Sequence, residues 1–471
     1  MHTKKLNLKA VDNKRFVMRV FAVMIPIMLQ NGITNFVNML DNVMVGNIGT
    51  AEMTGVSVAG SLIFIYNLCV FGAVSGAGIF GAQFYGKGDV EGVRQTLRFK
   101  IVMSLVITAA ASAVIVFFGD SLTVLFLEGE GEAAVAEAAL ASSHEYLMIM
   151  LISLVPFALV QCWTSTLREC DMNVLPMAAG FAAMGVNLVL NWILIFGNLG
   201  APEMGVAGAA VATVVSRFVE LGIVVAGSYI KRERAKFSVG LFRKFRIAPS
   251  LMKKILVKGF PMIINETMWA AGYTTLNRYY STRGLDVVAA NNINITFFNV
   301  FSCTFFALGV AVGIIMGQML GAGQIEEAKR RSNTLLIISA VMSAVVGAAY
   351  GLIAPIVPNF YNTTDSVRHI ATVLMIICAV FMPFESLTHT EYFTIRSGGK
   401  AFLTMVFDSG FMWVLVVPTV IILANVTDMS VFWLYAVVQI LNVVKCAIGF
   451  AFVKSGHWAT NIVGKKKEEA V

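Results

Sequence analysis

The sequence predicts an all-α membrane protein: twelve transmembrane helices forming two six-helix lobes related by a parallel pseudo-two-fold repeat. Three observations predict it. Apolar residues make up 58% of the 471 positions, and Asp, Glu, Lys and Arg together only 13%, where a soluble chain carries about 25% charged residues. Apolar runs of bilayer-crossing length, about 20 residues each, recur along the whole chain. A fixed register shift lays one half of the chain on the other. The same composition excludes disorder, collagen, a coiled coil and a small disulfide scaffold.

The first apolar run, 16–45, follows a basic stretch as a signal peptide would. It continues through Gln30 and Asn31 with no small-residue cleavage site, so it is expected to stay as the first span. Runs at 54–84, 97–118, 138–166, 174–197 and 205–230 complete a first lobe, 15–230. A hydrophilic bridge, 231–250, carries Phe237, Leu241, Phe242 and Phe245 at spacings that predict an amphipathic interfacial helix. Runs at 251–278, 290–320, 332–357, 367–394, 401–424 and 430–453 form a second lobe, 251–455, and a basic tail, 456–471, ends the chain.

The net charge of +8 does not point to nucleic acid, because the basic residues sort by side of the membrane. With the N-terminus inside, every Lys and Arg except Arg217, Arg278, Arg283, Arg368 and Lys445 falls in an inner loop or tail. Asp120, Glu128, Glu130, Glu132 and Glu137 mark the loop after span 3 as external. The positive-inside rule therefore predicts a multi-pass protein of the cell membrane with both termini cytoplasmic. Six scattered cysteines without a CxxC pair read as small buried hydrophobes.

A shift of 235 residues lays Pro26 on Pro261, Gly49 on Gly284 and Gly78 on Gly313. It also lays GAQFYGKGDVEGVR (81–94) on MGQMLGAGQIEEAK (316–329), so that Gln83 meets Gln318 and Gly86 meets Gly321. At a shift of 228, Arg168 meets Arg396. The repeated unit has six spans, an even number, so the halves share one orientation. Parallel halves of this kind place a substrate site between the lobes near mid-membrane.

Polar groups inside spans are costly in hydrocarbon and should face the interior or water. Span 1 carries Asn31, Thr34, Asn35, Asn38, Asp41 and Asn42 on one helix face, with Asp41 the only acid. Asn187 and Asn191 share a face of span 5, and Thr213 in span 6 adds a hydroxyl. With Asp41 these amides suit either a small cation or a protonated carboxyl; interhelical hydrogen bonding is the structural alternative. Span 7 carries Glu266, then Tyr273 and Asn277. Span 10 carries Glu385 with His389 one turn on. Two acids in one lobe suggest a second cation or proton site, which Asp408 of span 11 would join. His389 reads equally as a titrating or a structural group. Arg217 and Glu220 read as an internal pair, and Lys445 as a side chain that snorkels to the cytoplasmic face.

The sequence lacks GxxxxGK[ST], HExxH and GxSxG, so no built-in ATPase, zinc protease or serine hydrolase is expected and no cofactor is implied. At FVNMLDNVMVG (36–46), GAQFYGKGD (81–89), TLREC (166–170), NLVLNWILIFG (187–197), Glu266 and TIRSGGK (394–400) the chain resembles the multidrug and toxic compound extrusion (MATE) family of the flippase-like exporter superfamily, over about residues 15–455. The resemblance implies a V-shaped two-lobe bundle that exports amphiphilic or cationic small molecules in exchange for Na+ or H+. It implies a coupling site at Asp41, Asn187 and Asn191 in the first lobe, and another at Glu266 and Glu385 in the second. Asn191 and Glu385 stand where some relatives have aspartate. A monomer in the bilayer is expected. The rival readings are a lipid-linked oligosaccharide flippase, which predicts a basic cavity, a membrane-embedded enzyme and a channel.

Overall fold

The computed structural model describes residues 13–46, 48–127, 133–243 and 245–464; the side chains of residues 37–43, 50, 126–127 and 133–135 lie outside the description. The described chain is helical, with no strand. The first lobe holds α1 (Asn13–Gly46), α2 (Thr50–Lys87), α3 (Val90–Leu127), α4 (Ala133–Glu169), α5 (Val174–Phe196) and α6 (Gly205–Ile230). The second holds α7 (Pro249–Ser281), α8 (Leu285–Gly321), α9 (Ile325–Ile353), α10 (Asp365–Ser397), α11 (Ala401–Val426) and α12 (Val431–Ser455). Among the described residues, eleven helices are long and apolar enough to cross a bilayer. The twelfth, α7, is less apolar because Lys253, Lys254, Lys258, Glu266 and Arg278 lie along it. Most helices outrun their apolar runs by a turn or more, because polar end turns extend beyond the hydrocarbon layer.

Each lobe has its own core. Leu97, Leu147, Leu154, Trp163 and Leu167 anchor the first, and Ala290, Phe305, Tyr350 and Met375 part of the second. The early turns of α1 belong to neither rule: Phe16, Val20, Val23, Met24 and Ile27 pack on α8, α9 and α10 of the second lobe.

Where α2 crosses α8 the repeat becomes visible as geometry. A methyl group at Gly86 would sit 1.9 Å from the Gln318 carbonyl oxygen, and one at Gly321 would sit 1.9 Å from that of Gln83. The two contacts exchange under the 235-residue shift, as a two-fold axis requires. The side chains obey the same symmetry. Gln83 Nε2 donates to the Ser397 carbonyl at 2.9 Å, and Gln318 Nε2 donates to the Glu169 carbonyl at 2.8 Å. Arg19 adds bonds to Gln318 and, at 3.1 Å, to Asp171.

The chain after α12 fastens the same end. Trp458 is buried, and Lys87 Nζ donates to the Val463 carbonyl at 3.0 Å. The Ile462 amide donates to Gln83 Oε1 at 2.8 Å. These cross-lobe bonds gather at the end of the bundle where the described chain starts, near Asn13, and finishes, at Gly464.

The bridge between lobes corrects one expectation. It is a run of turns, not an amphipathic helix. Gly240, at φ 74°, is in the left-handed region that ends a helix. Arg98 donates to the carbonyls of Leu241 (2.9 Å) and Arg246 (3.1 Å), and Arg94 to that of Phe237 (3.3 Å), which satisfies backbone groups a helix would have used. Phe237 and Leu241 are buried against the first lobe, while Phe242 and Phe245 stay exposed and stacked.

Candidate functional site

Away from the terminal end the lobes part around two neighbouring clefts. Phe64 of α2 and Ala270 and Thr274 of α7 line both.

The second-lobe cleft has a volume of about 620 Å³. Its walls are aromatic and amide-rich. Trp269 stacks on Tyr273 with centroids 5.5 Å apart, and Phe298, Phe306 and Phe381 add apolar area. Asn277, Asn291, Asn294 and Asn442 supply amides, with Asn291 donating to Asn277 at 3.2 Å. Asn31, Thr34 and Asn35 bring the polar face of α1 across to it, and Asn35 Nδ2 donates to the Asn299 carbonyl at 3.2 Å. Glu385 and Lys445 are the only Asp, Glu, Lys, Arg or His among its described lining residues.

Glu385 accepts from Asn442 Nδ2 at 3.4 Å, and His389 Nε2 stands 3.7 Å from its other oxygen. His389 lies against Phe305 and Phe306, with the Phe306 centroid at 4.5 Å. Behind this wall runs a buried chain of polar groups. Lys445 Nζ donates to Asp408 Oδ1 at 2.6 Å. Asn265 Nδ2 donates to Asp408 Oδ2 at 3.0 Å and approaches Tyr392 Oη at 3.3 Å. Tyr392 donates to Glu266 Oε1 at 3.2 Å, and Arg396 lies over the Tyr392 and Phe393 rings. Asp408 sits in a π-helical turn, Val406–Gly410, a local widening often found at functional positions. Ser409 Oγ holds that turn to Asn265 by a 2.8 Å bond to its carbonyl.

Lys445 therefore does not snorkel. It lies ten residues from the end of α12, about 15 Å along the axis, and a carboxylate on the neighbouring helix holds it in place. Glu266 and Glu385 do not meet. Each has its own partners, and Glu266 connects to Asp408 through Tyr392 and Asn265. The Arg217–Glu220 pair forms at 2.8 Å.

The first-lobe cleft, of about 980 Å³, has no Asp, Glu, Lys, Arg or His among its described lining residues. Asn191 and Thr213 line it beside Tyr146 and Ser57. Asn187 Nδ2 donates to Thr213 Oγ1 at 3.3 Å, and Asn191 Nδ2 donates to Asn187 Oδ1 at 3.3 Å. Thr213 thus joins the two asparagines. The side chains of Asn38 and Asp41 lie outside the described residues.

Sequence reasoning missed Asn265, Asn442 and the role of Lys445. Asn442 and Lys445 are three residues apart and share a face of α12, a signal of the kind read in spans 1 and 5.

Two clefts between two repeated lobes of apolar helices define the class: a helical membrane protein with cavities between its halves. The chain belongs to the MatE family, whose model matches residues 26–193 and 261–422. It is 25% identical over 448 residues to a probable multidrug resistance protein NorM of Thermotoga maritima, covering 93% of this chain and 92% of that one. It is 24% identical over 373 residues to the multidrug resistance protein NorM of Photobacterium profundum, covering 78% and 79%. The fold is shared with an outward-facing multidrug resistance MATE family transporter of the MOP superfamily (TM-score 0.84, 19% identity, 97% and 98% covered). It is also shared with a MOP superfamily transporter from Pyrococcus furiosus described as having a binding pocket of reverse polarity (TM-score 0.83, 18% identity, 93% and 95% covered).

Proposed function

We propose that the protein is a secondary antiporter of the cell membrane that exports amphiphilic organic cations in exchange for Na+ or H+. The second-lobe cleft carries the reading. Aromatic walls and side-chain amides accommodate varied flat molecules, and one carboxylate, Glu385, faces the space without a salt-bridged lysine or arginine. A cation over aromatic faces and beside a carboxylate gains on both counts. The names of the NorM relatives, multidrug resistance proteins, support export of drugs.

Coupling follows from competition. A Na+ ion or proton arriving at Glu385 neutralises the charge that holds the exported cation, which then leaves. Glu266, linked to Asp408 through Tyr392 and Asn265 behind the wall, is the second coupling acid of this lobe. In the first lobe, Asp41 with Asn187 and Asn191 forms a further coupling site, and Asn38, Thr213, Tyr273, Asn277, His389 and Asp408 surround the two. The lobes rock about the α2–α8 crossing, so the clefts face alternate sides. With both termini cytoplasmic, the state described here is closed inward and open outward. The protein acts as a monomer. A flippase for an anionic lipid-linked sugar fits less well, because the one lysine in the cleft is already held by Asp408.

The test is ethidium efflux from cells lacking their own exporters, comparing wild type with Glu385→Gln and Asp41→Asn at matched expression while the Na+ and H+ gradients are collapsed separately. Gradient-dependent efflux lost in the variants supports the reading. Absence of efflux from well-expressed wild type overturns it.

A further inference from the structure

The second-lobe cleft contains a fixed cation of its own. Lys445 lines the space that Glu385 lines, and its ammonium is bound to Asp408 at 2.6 Å. Asp408 does not line the cleft; it stands behind the lysine, held from the other side by Asn265. The two carboxylates are therefore not equivalent. The Asp408 charge is matched by a tethered ammonium, whereas Glu385 has Asn442 at 3.4 Å and His389 at 3.7 Å. Asn442 is neutral, and at about pH 8 an ordinary histidine is neutral too.

We propose that Lys445 sets the charge selectivity of the cleft. It offsets Asp408, so the wall presents one net negative charge and suits a ligand with one positive charge. This rests on the organic-cation reading above. A dication would bring a second charge into a wall with a single uncompensated carboxylate, beside a lysine that repels it. At an effective dielectric of about 20, one unit of wall charge within about 10 Å changes affinity by about tenfold or more.

Substitutions at Lys445 and Asp408 make a charge series. Wild type carries net −1 from Glu385, Asp408 and Lys445. Lys445→Gln gives −2, Asp408→Asn gives 0, and the double variant returns to −1. Lys445→Arg stays at −1.

The probes are ethidium and propidium, which share a phenanthridinium ring and carry one and two positive charges. Their binding to purified full-length protein is measured by fluorescence anisotropy at about pH 8. Propidium is the bulkier, so each variant's ratio of the two affinities is compared with the wild-type ratio.

Lys445→Gln should raise the propidium-to-ethidium ratio about tenfold. Asp408→Asn should weaken ethidium binding about tenfold. The double variant and Lys445→Arg should both return to wild-type values. An unchanged ratio in Lys445→Gln, with ethidium bound by wild type, overturns the proposal and leaves the transport reading intact. Failure of wild type to bind either probe removes the organic-cation reading on which it rests. Removing one member of a buried ion pair is often destabilising. If Lys445→Gln does not purify as a folded protein, the double variant and Asp408→Asn carry the test. A double variant as weak for ethidium as Asp408→Asn would then overturn the proposal.

Discussion

The two lobes are copies of one six-helix unit, yet their clefts differ in kind. The first-lobe cleft is walled by Asn191, Thr213, serines and apolar side chains, and its described lining carries no charge. The second-lobe cleft carries Glu385 and Lys445, with Asp408 and Glu266 linked behind them. A shared backbone fixes where the clefts lie; among the described residues, side chains put a carboxylate and a lysine into the lining of the second. At the opposite end of the bundle the copies have kept their equivalence, since Gly86 and Gly321, and Gln83 and Gln318, exchange roles across the pseudo-axis. The crossing preserves symmetry because both lobes must meet there, while the clefts are free to diverge.

The sharpest way to break this comparison is to exchange function between the lobes. Glu385→Gln should lower ethidium efflux by about tenfold or more, the loss expected when a charge-assisted contact disappears from the aromatic-walled cleft. Asn187→Ala should change it by less, about threefold, because it removes neutral hydrogen bonds of about 1 kcal/mol. Equal losses would show that the Asn187 site is as necessary to efflux as Glu385.

The crossing is tested by crowding it. Gly86→Val places side-chain atoms inside the Gln318 backbone. Overpacking of this kind costs about 1–3 kcal/mol and disfavours the closed terminal end. Maleimide labelling of buried Cys170, in a variant retaining only that cysteine, should accelerate several-fold. Asn265→Ala severs the link between Asp408 and Tyr392. It leaves buried partners unsatisfied at about 1–3 kcal/mol, which should appear as a lower melting temperature in detergent. The smallest effects belong to Gln83→Ala and Gln318→Ala. Each removes cross-lobe bonds worth about 0.5–1.5 kcal/mol, and the symmetry predicts similar labelling increases at Cys170 for both.

Much of the fold was legible in the sequence because hydrocarbon permits few solutions. Apolar runs gave the spans, and the coincidence of Pro26 with Pro261 and of Gln83 with Gln318 gave the repeat. Glu266 and Glu385 were legible because acids in spans are rare. Their partners were not. Asn265 precedes Glu266 directly, and sequence spacing does not show that it reaches Asp408 on a distant helix. Lys445 was misread because a lone lysine in a span looks free to snorkel, and its carboxylate lies 37 positions away. The bridge was misread because its apolar spacing resembles a helix, while Gly240 and the guanidinium groups of Arg94 and Arg98 favour turns instead.

The central claim, that the charged second-lobe cleft holds the exported cation, is tested most directly by binding. Ethidium anisotropy would be titrated with purified wild type, Glu385→Gln and the double variant Asn187→Ala/Asn191→Ala. The account predicts binding lost in Glu385→Gln and retained in the first-lobe double variant. Retention in Glu385→Gln with loss in the double variant would contradict it and place the substrate in the first-lobe cleft.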